Sequence, residues 1–323
     1  MTTARRKLIN EQATPYYSIT TNCVRRTFLN GFDKLTGKDY EHRRQWIEDK
    51  MFDLVDVFAI DICSYTIMSN HYHLVLHIDK KTAVSWTFKQ IFERWQQLHT
   101  LDALAVRHMA GEHFDDVLQL ELARIAADYR ERLMSISWFM RELNLDIAKR
   151  ANKEDKCKGK FWEARFHSQA LLDEAALLAC MAYVDLNPVR AKMCHTPEES
   201  DYTSIQTRIR QILYNECKNK KLMPFKNSAN SDGNVLMFDE KDYLELVDWT
   251  GRIIREDKRG AIAADMPGIL TRLGMEHKEW FIRARYFQIR FKSVAGAWDL
   301  MQQAAKVFKQ HWFQGKPSKD IAL

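Results

Sequence analysis

The spacing of apolar residues divides the first two hundred positions into strands and helices. Short runs rich in β-branched and aromatic residues predict strands, and Ser69-Asn70 between two of them predicts a hairpin turn. Longer stretches with apolar residues three or four apart predict amphipathic helices. Asp173 is a suitable N-cap for the last of these helices, and Pro188 ends it. The predicted strands are 16–21, 60–68, 71–78 and 166–172, and the predicted helices are 40–58, 133–151 and 174–186.

This order is β-α-β-β-α-β followed by a further helix, and it predicts an α+β fold. The split β-α-β arrangement of ferredoxin-like domains has this order around an antiparallel sheet. The charged, helix-prone stretch from 79 to about 132 is predicted to be a helical insertion between the third strand and the next core helix. The chain from 200 to 323 is predicted to be a mainly helical extension of a domain formed by 1–199.

The extension contains a polar stretch at 215–234 and three predicted helices, at 240–256, 267–273 and 276–292. Within the last helix, FIRARYFQIRFK alternates cations with aromatic residues. Two interpretations remain open for this stretch: a surface that grips nucleic acid, or an amphipathic core helix with a solvated basic face.

The composition of the chain excludes several classes of function. The 323 residues are 46% hydrophobic and 28% charged, with 49 Lys+Arg against 43 Asp+Glu, so the chain can form a core and is mildly basic. The net charge of +6 hints at a polyanionic partner. No two glycines are closer than six residues, which excludes the glycine-rich nucleotide-binding loops and the nucleophile elbow. The sequence has no C-x-x-C pair, no apolar run of eighteen residues and no signal peptide. We therefore expect a cytoplasmic protein with reduced thiols and no membrane span.

His71 and His73 are the first candidates for chemistry. They lie two apart on a predicted strand, so both imidazoles point to one face, opposite the core-like Tyr72 and Leu74. Two neutral imidazoles on a rigid strand can ligate a divalent metal. The alternative is a structural or merely exposed pair.

Tyr183 and Asn187 are four apart near the end of a predicted helix, and therefore lie one turn apart on the same face. Taken alone, the pair is better explained by a core-facing tyrosine with an asparagine that caps the end of the helix. Near the preceding strand, Lys160, Trp162 and Arg165 combine cations with an aromatic ring. Such a cluster suits unpaired bases and phosphates, although a loop whose tryptophan anchors the core has the same composition.

Three motifs in this order resemble a known family. YTIMSNHYHLVLH, containing His71 and His73, resembles the HUH motif of the single-tyrosine transposases. GKFWEARF resembles the segment before the last core strand of that family, and YVDLNPVRA, beginning at Tyr183, resembles its nucleophile helix. The Asn-Pro-x-Arg-Ala version is typical of the REP-associated tyrosine transposases. The resemblance covers roughly 16–192 and assigns no role to the insertion or the extension.

The resemblance implies a metal-dependent transposase and endonuclease that cleaves and rejoins single-stranded DNA next to a hairpin. Tyr183 would be the nucleophile and would form a 5′-phosphotyrosine intermediate. His71, His73 and Asn187 would hold Mg²⁺ or Mn²⁺, and the protein would act as a monomer or a homodimer. The DNA contacts would come from Arg25, Arg26, Lys160, Trp162, Arg165 and Arg190.

Two other functions remain open. One is a non-catalytic or domesticated DNA-hairpin-binding protein that keeps the fold. The other is a metal-dependent nuclease in which water attacks and Tyr183 only packs. Target recognition by the extension is a further hypothesis.

Overall fold

The computed structural model describes residues 8–24, 29, 31–33, 37–217, 220–227, 233–256, 270–271, 273–311 and 313. In chain order, the elements are β1 Tyr16–Asn22, β2 Phe32–Asp33, β3 Lys38–Asp39, α1 His42–Val57, β4 Ile60–Ile67, β5 His71–Ile78, α2 Lys80–Ser85, α3 Phe88–Trp95, α4 Ala103–Met109, α5 Asp116–Leu133, α6 Ile136–Glu154, β6 His167–Leu171, α7 Glu174–Asp185, α8 Asn187–Arg190, α9 Ser204–Tyr214, α10 Glu240–Glu256, α11 His277–Arg290, β7 Val294–Ala295 and α12 Trp298–Val307.

The main sheet has the order β4-β5-β1-β6-β7. Its first four strands pair antiparallel and form the split β-α-β arrangement, with β1 between the hairpin β4-β5 and the returning strand β6. The α+β fold predicted from the sequence is therefore confirmed. The fifth strand, β7, comes from the extension and pairs parallel to β6.

One face of the sheet packs on α1, α6 and the insertion. Alternate residues of β5, such as Tyr72 and Leu74, are fully buried on this face with Phe139 and Leu143 of α6. The stretch predicted to be a helical insertion forms α2 to α5, and Phe92, Leu122 and neighbouring apolar side chains join the same core. The insertion thus enlarges the core on the face of the sheet opposite His71 and His73.

The other face packs on α7. Asp173 caps this helix as predicted, because its carboxylate accepts a hydrogen bond from the Ala176 amide at 2.7 Å. Every residue from 176 to 185 is buried, since the sheet lies on one side of α7 and helices of the extension lie on the other. The helix ends before Pro188, and the short helix α8 continues the chain with that proline in its first turn.

Several contacts join the extension to the core. Trp280, Ala284 and Phe287 of α11 are buried in the cluster that contains α7, so one face of this helix is a core face. The division at 199/200 remains a prediction. The predicted helix at 267–273 falls mainly outside the described residues. Across the described part of the chain, no helix combines the length and apolarity needed to span a membrane.

Candidate active site

Strand register brings both histidines to the α7 face of the sheet. His71 lies opposite Asn22 and His73 opposite Thr20 on the neighbouring strand β1. The two imidazole centroids are 4.8 Å apart and the rings are almost perpendicular. Because residues two apart on a strand share a face, this geometry follows directly from the His-x-His spacing.

The surroundings of the two imidazoles favour their neutral forms. His73 is only 1% exposed, and burial, aided by the nearby His71 and Arg190, holds its pKa well below the ordinary value. Burial also lowers the pKa of His71. Asn70 Oδ1 lies 2.6 Å from His71 Nδ1, so this oxygen accepts a hydrogen bond from Nδ1–H and the lone pair of the ring is on Nε2.

His73 is held through one nitrogen while the other has no partner. Its Nδ1 lies 2.9 Å from Thr20 Oγ1. Its Nε2 is buried and makes no hydrogen bond. A buried polar atom without a partner is costly unless a ligand completes it. When Nδ1–H donates to the threonine oxygen, Nε2 presents a lone pair for such a ligand.

Tyr183 reaches this pair from the last full turn of α7. Its ring is edge-on to the His73 ring with the centroids 5.9 Å apart, and it is 7% exposed. Phe287 of α11 packs against the other side of the phenol ring at 6.1 Å. The phenol of the late helix and the imidazoles of the central strand therefore lie in one site.

Asn187 and Arg190 follow on α8. The Asn187 side chain is 9% exposed, and its Nδ2 is buried without a hydrogen-bond partner. The Arg190 guanidinium lies 4.3 Å from the centre of the Tyr183 ring, and its Nη1 is also buried without a partner. The turn after α7 thus adds an amide and a cation beside the phenol.

The donor types fit a divalent cation. Two neutral imidazoles and one amide carry no charge; the amide oxygen suits Mg²⁺ and Mn²⁺, and the softer imidazoles suit Mn²⁺ better than Mg²⁺. Over the ranges that the structure describes, no three His, Cys, Asp or Glu side chains are grouped to hold a metal. The candidate ligands His71, His73 and Asn187 do not form such a group, because only the two histidines are of those residue types.

Lys160, Trp162 and Arg165, three of the other predicted DNA contacts, lie beside α6 on the opposite face of the sheet. Trp162 donates from Nε1 to the Asn144 carbonyl at 2.8 Å and packs edge-on against Tyr72, so its ring anchors the core. Lys160 and Arg165 are exposed and line, with Trp162, a groove of about 500 Å³ beside α6. This segment borders the end of β1, because a β-bridge joins Trp162 to Cys23. Arg25 and Arg26 lie outside the described residues.

Two residues of the site were missed by sequence reasoning. Thr20 is on β1 two positions from Asn22, and its alternation with the buried Ile19 could have placed it opposite His73. Gln288 of α11 contacts both Tyr183 and His73. No local pattern predicts that contact, because it joins residues 105 and 215 positions apart.

Comparisons with known proteins give one distant likeness. No protein-family model matches the chain, and no curated protein matches it. A solved structure described as a REP-associated tyrosine transposase bound to a REP hairpin is 12% identical, covering 66% of this chain and 88% of that one, with a TM-score of 0.39. A likeness at this level carries no argument about activity.

Proposed function

We propose that this protein cleaves and rejoins single-stranded DNA by transesterification, with Tyr183 as the nucleophile. The observation that carries the proposal is the meeting of the Tyr183 phenol with His73, whose buried Nε2 lacks a partner. A packing tyrosine alone does not account for three buried nitrogens without partners: His73 Nε2, Asn187 Nδ2 and Arg190 Nη1.

His71, His73 and Asn187 are the residues proposed to hold a divalent cation. When bound, this ion supplies Lewis-acid polarisation of the scissile phosphate and keeps its full double charge, since none of its protein ligands is anionic. The lowered pKa values of His71 and His73 keep both imidazoles in the neutral form, with one nitrogen unprotonated, which metal ligation requires.

In the proposed reaction, the Tyr183 oxygen loses its proton to solvent and attacks phosphorus. A bond forms between this oxygen and phosphorus while the bond from phosphorus to the 3′ oxygen breaks. The leaving 3′ oxygen takes up a proton from solvent. A later 3′-hydroxyl reverses these steps and restores the phosphodiester. Arg190 stacks on the phenol ring, where its guanidinium stabilises the charge that develops on the attacking oxygen and the phosphate.

Single-stranded DNA next to a hairpin is the proposed substrate. The exposed Lys160 and Arg165 suit phosphates, and the groove that they border beside Trp162 is wide enough for an unpaired base. Because Trp162 anchors the core, its free edge rather than its whole face is available to a base.

A covalent adduct tests the proposal. The protein is incubated with Mn²⁺ and a panel of hairpin-bearing strands labelled at the 3′ end, then denatured and separated by electrophoresis. The label is expected to remain on the protein, because the proposed bond joins Tyr183 to the 5′ phosphate of the 3′ fragment. Tyr183→Phe is expected to lose the adduct but keep DNA binding. The matched control Tyr214→Phe alters a tyrosine that is 65% exposed on α9 and is expected to retain the adduct.

Each rival function gives a different result. Undiminished adduct in Tyr183→Phe would overturn the assignment of the nucleophile. Strand cleavage without any adduct would favour attack by water, and binding without cleavage across the panel would favour a non-catalytic hairpin-binding protein. Cleavage in EDTA at the rate seen with Mn²⁺ would overturn the metal role.

A further inference from the structure

Gln288 links the phenol of the candidate site to Thr20, the residue that holds His73. Its Oε1 accepts a hydrogen bond from the Tyr183 hydroxyl at 3.0 Å. Its Nε2 lies 3.2 Å from both Thr20 Oγ1 and His73 Nδ1. One amide from the extension therefore contacts the nucleophile on α7, a proposed metal ligand on β5 and the threonine that orients that ligand.

The backbone around Gln288 is held firmly although its side chain is exposed. Tyr286 has φ −116° and ψ 23°, outside the helical region, so α11 is kinked two residues before the glutamine. Phe287 is 1% exposed and anchors the next position in the core. Downstream, the Phe291 carbonyl accepts a hydrogen bond from the buried Gln169 of β6 at 2.7 Å. The kink and these anchors direct the Gln288 side chain at the site.

The protons can be placed so that each of these hydrogen bonds has one donor and one acceptor. The phenol donates to Gln288 Oε1, while His73 Nδ1–H and Gln288 Nε2–H both donate to Thr20 Oγ1. This arrangement leaves the lone pair of His73 on Nε2, the atom that has no protein partner. Partners on the second ring nitrogen are what orient metal-ligating histidines in general.

We propose that Gln288 is a positioning residue that fixes the Tyr183 oxygen relative to the metal-facing edge of His73. The extension would then complete the active site itself, in addition to any role in recognising DNA. This inference rests on the proposed function, since it assigns Gln288 a role in the same site.

Metal affinity without DNA gives the first test. Gln288→Met keeps a side chain of similar length and removes every hydrogen bond. It is expected to weaken Mn²⁺ binding about tenfold in calorimetry, because it releases Thr20, which orients His73, and disturbing the partner of a ligating histidine commonly costs 10- to 100-fold. Gln303→Ala is the matched control, because Gln303 is exposed on α12, a helix that packs on the other face of the sheet.

The rate of adduct formation gives the second test. At saturating DNA and Mn²⁺, Gln288→Met is expected to form adduct about 10- to 100-fold more slowly, since displacing a reacting group by about 1 Å costs on that order. DNA affinity and the unfolding midpoint are expected to stay unchanged, a separation that a purely structural role for Gln288 would not produce.

The outcomes separate the two proposals. Wild-type protein that binds Mn²⁺ but forms no adduct on any strand overturns the proposed function, and the Mn²⁺ affinity of Gln288→Met still decides the role of Gln288. If the wild type forms adduct, an unchanged affinity or an unchanged or raised rate in Gln288→Met overturns the positioning role alone. Wild-type protein that binds no Mn²⁺ overturns both.

Discussion

Tyr243→Phe is expected to destabilise the protein through a carboxylate buried next to the site. Asp185 lies two residues after Tyr183 and is fully buried. Its Oδ2 accepts a hydrogen bond from the Tyr243 hydroxyl of α10 at 2.5 Å. Its Oδ1 accepts from the Ser204 hydroxyl and from the Ile205 amide at 3.0 Å. These donors connect the C-terminal end of α7 to two helices of the extension, α9 and α10.

The expected magnitude follows from the environment of that carboxylate. Phenylalanine fills almost the same volume as tyrosine, so the change mainly removes one donor and leaves Oδ2 buried without it. A hydrogen bond to a charged group contributes about 1.5–3 kcal/mol, so we expect a loss of about 2 kcal/mol in the free energy of unfolding. Tyr214→Phe, at an exposed position, is expected to change it by less than about 0.5 kcal/mol.

The loss of unfolding free energy in Tyr243→Phe also depends on pH. Burial raises the pKa of Asp185 above its ordinary value, and the hydrogen bonds from Ser204 and Tyr243 oppose that rise. Because folding raises its pKa, Asp185 contributes most to stability below its unfolded pKa. That contribution is lost as pH rises through the folded pKa. Removing the Tyr243 hydroxyl raises the folded pKa further. The cost of Tyr243→Phe is therefore full above the folded pKa of the variant and shrinks as pH falls through that pKa.

Urea unfolding followed by tryptophan fluorescence measures these effects. A double-mutant cycle with Asp185→Asn isolates the interaction, because a hydrogen bond to a neutral amide contributes only about 1 kcal/mol. We expect a coupling of about 1 kcal/mol between the two positions. A cost for Tyr243→Phe equal to that of Tyr214→Phe, or a coupling of zero, would refute the assignment of a charged, hydrogen-bonded Asp185.

Three further predictions concern the site. His71→Ala is expected to abolish Mn²⁺ binding in calorimetry while the exposed His195→Ala keeps it; full binding in the first variant would contradict the ligand assignment. Arg190→Met is expected to slow adduct formation about 100-fold at saturating DNA, with partial recovery in Arg190→Lys, because a donor aimed at developing charge contributes on that order; an unchanged rate would argue against this role. The double variant Lys160→Ala/Arg165→Ala is expected to lower the slope of log affinity against log salt by about 1.4 in fluorescence anisotropy, roughly 0.7 for each phosphate contact. Lys306→Ala, on α12, is the control, and an equal loss of slope there would count against the groove.

Local patterns in the sequence were sufficient to predict the core fold. The strand β5 has the predicted bounds His71–Ile78, and Asp173 caps α7 as expected, because alternation and capping are properties of neighbouring residues. The face shared by His71 and His73 also follows from spacing within one strand. The contact between this histidine pair and Tyr183 could not be predicted from spacing alone, since it depends on α7 packing across that face. For that step the resemblance to a family supplied the expectation.

Local sequence patterns could not predict the contacts that the extension makes with the site and with α7. In sequence, 276–292 predicts only an amphipathic helix, and nothing near Gln288 distinguishes it from any other exposed glutamine. Its contacts depend on the kink at Tyr286 and on Phe287 packing beside Tyr183, both of which exist only once the chain has folded. The same is true of Asp185, whose charge is satisfied by donors from α9 and α10. A carboxylate this deeply buried is stable only with those donors, so the extension supplies groups that α7 needs for its own stability.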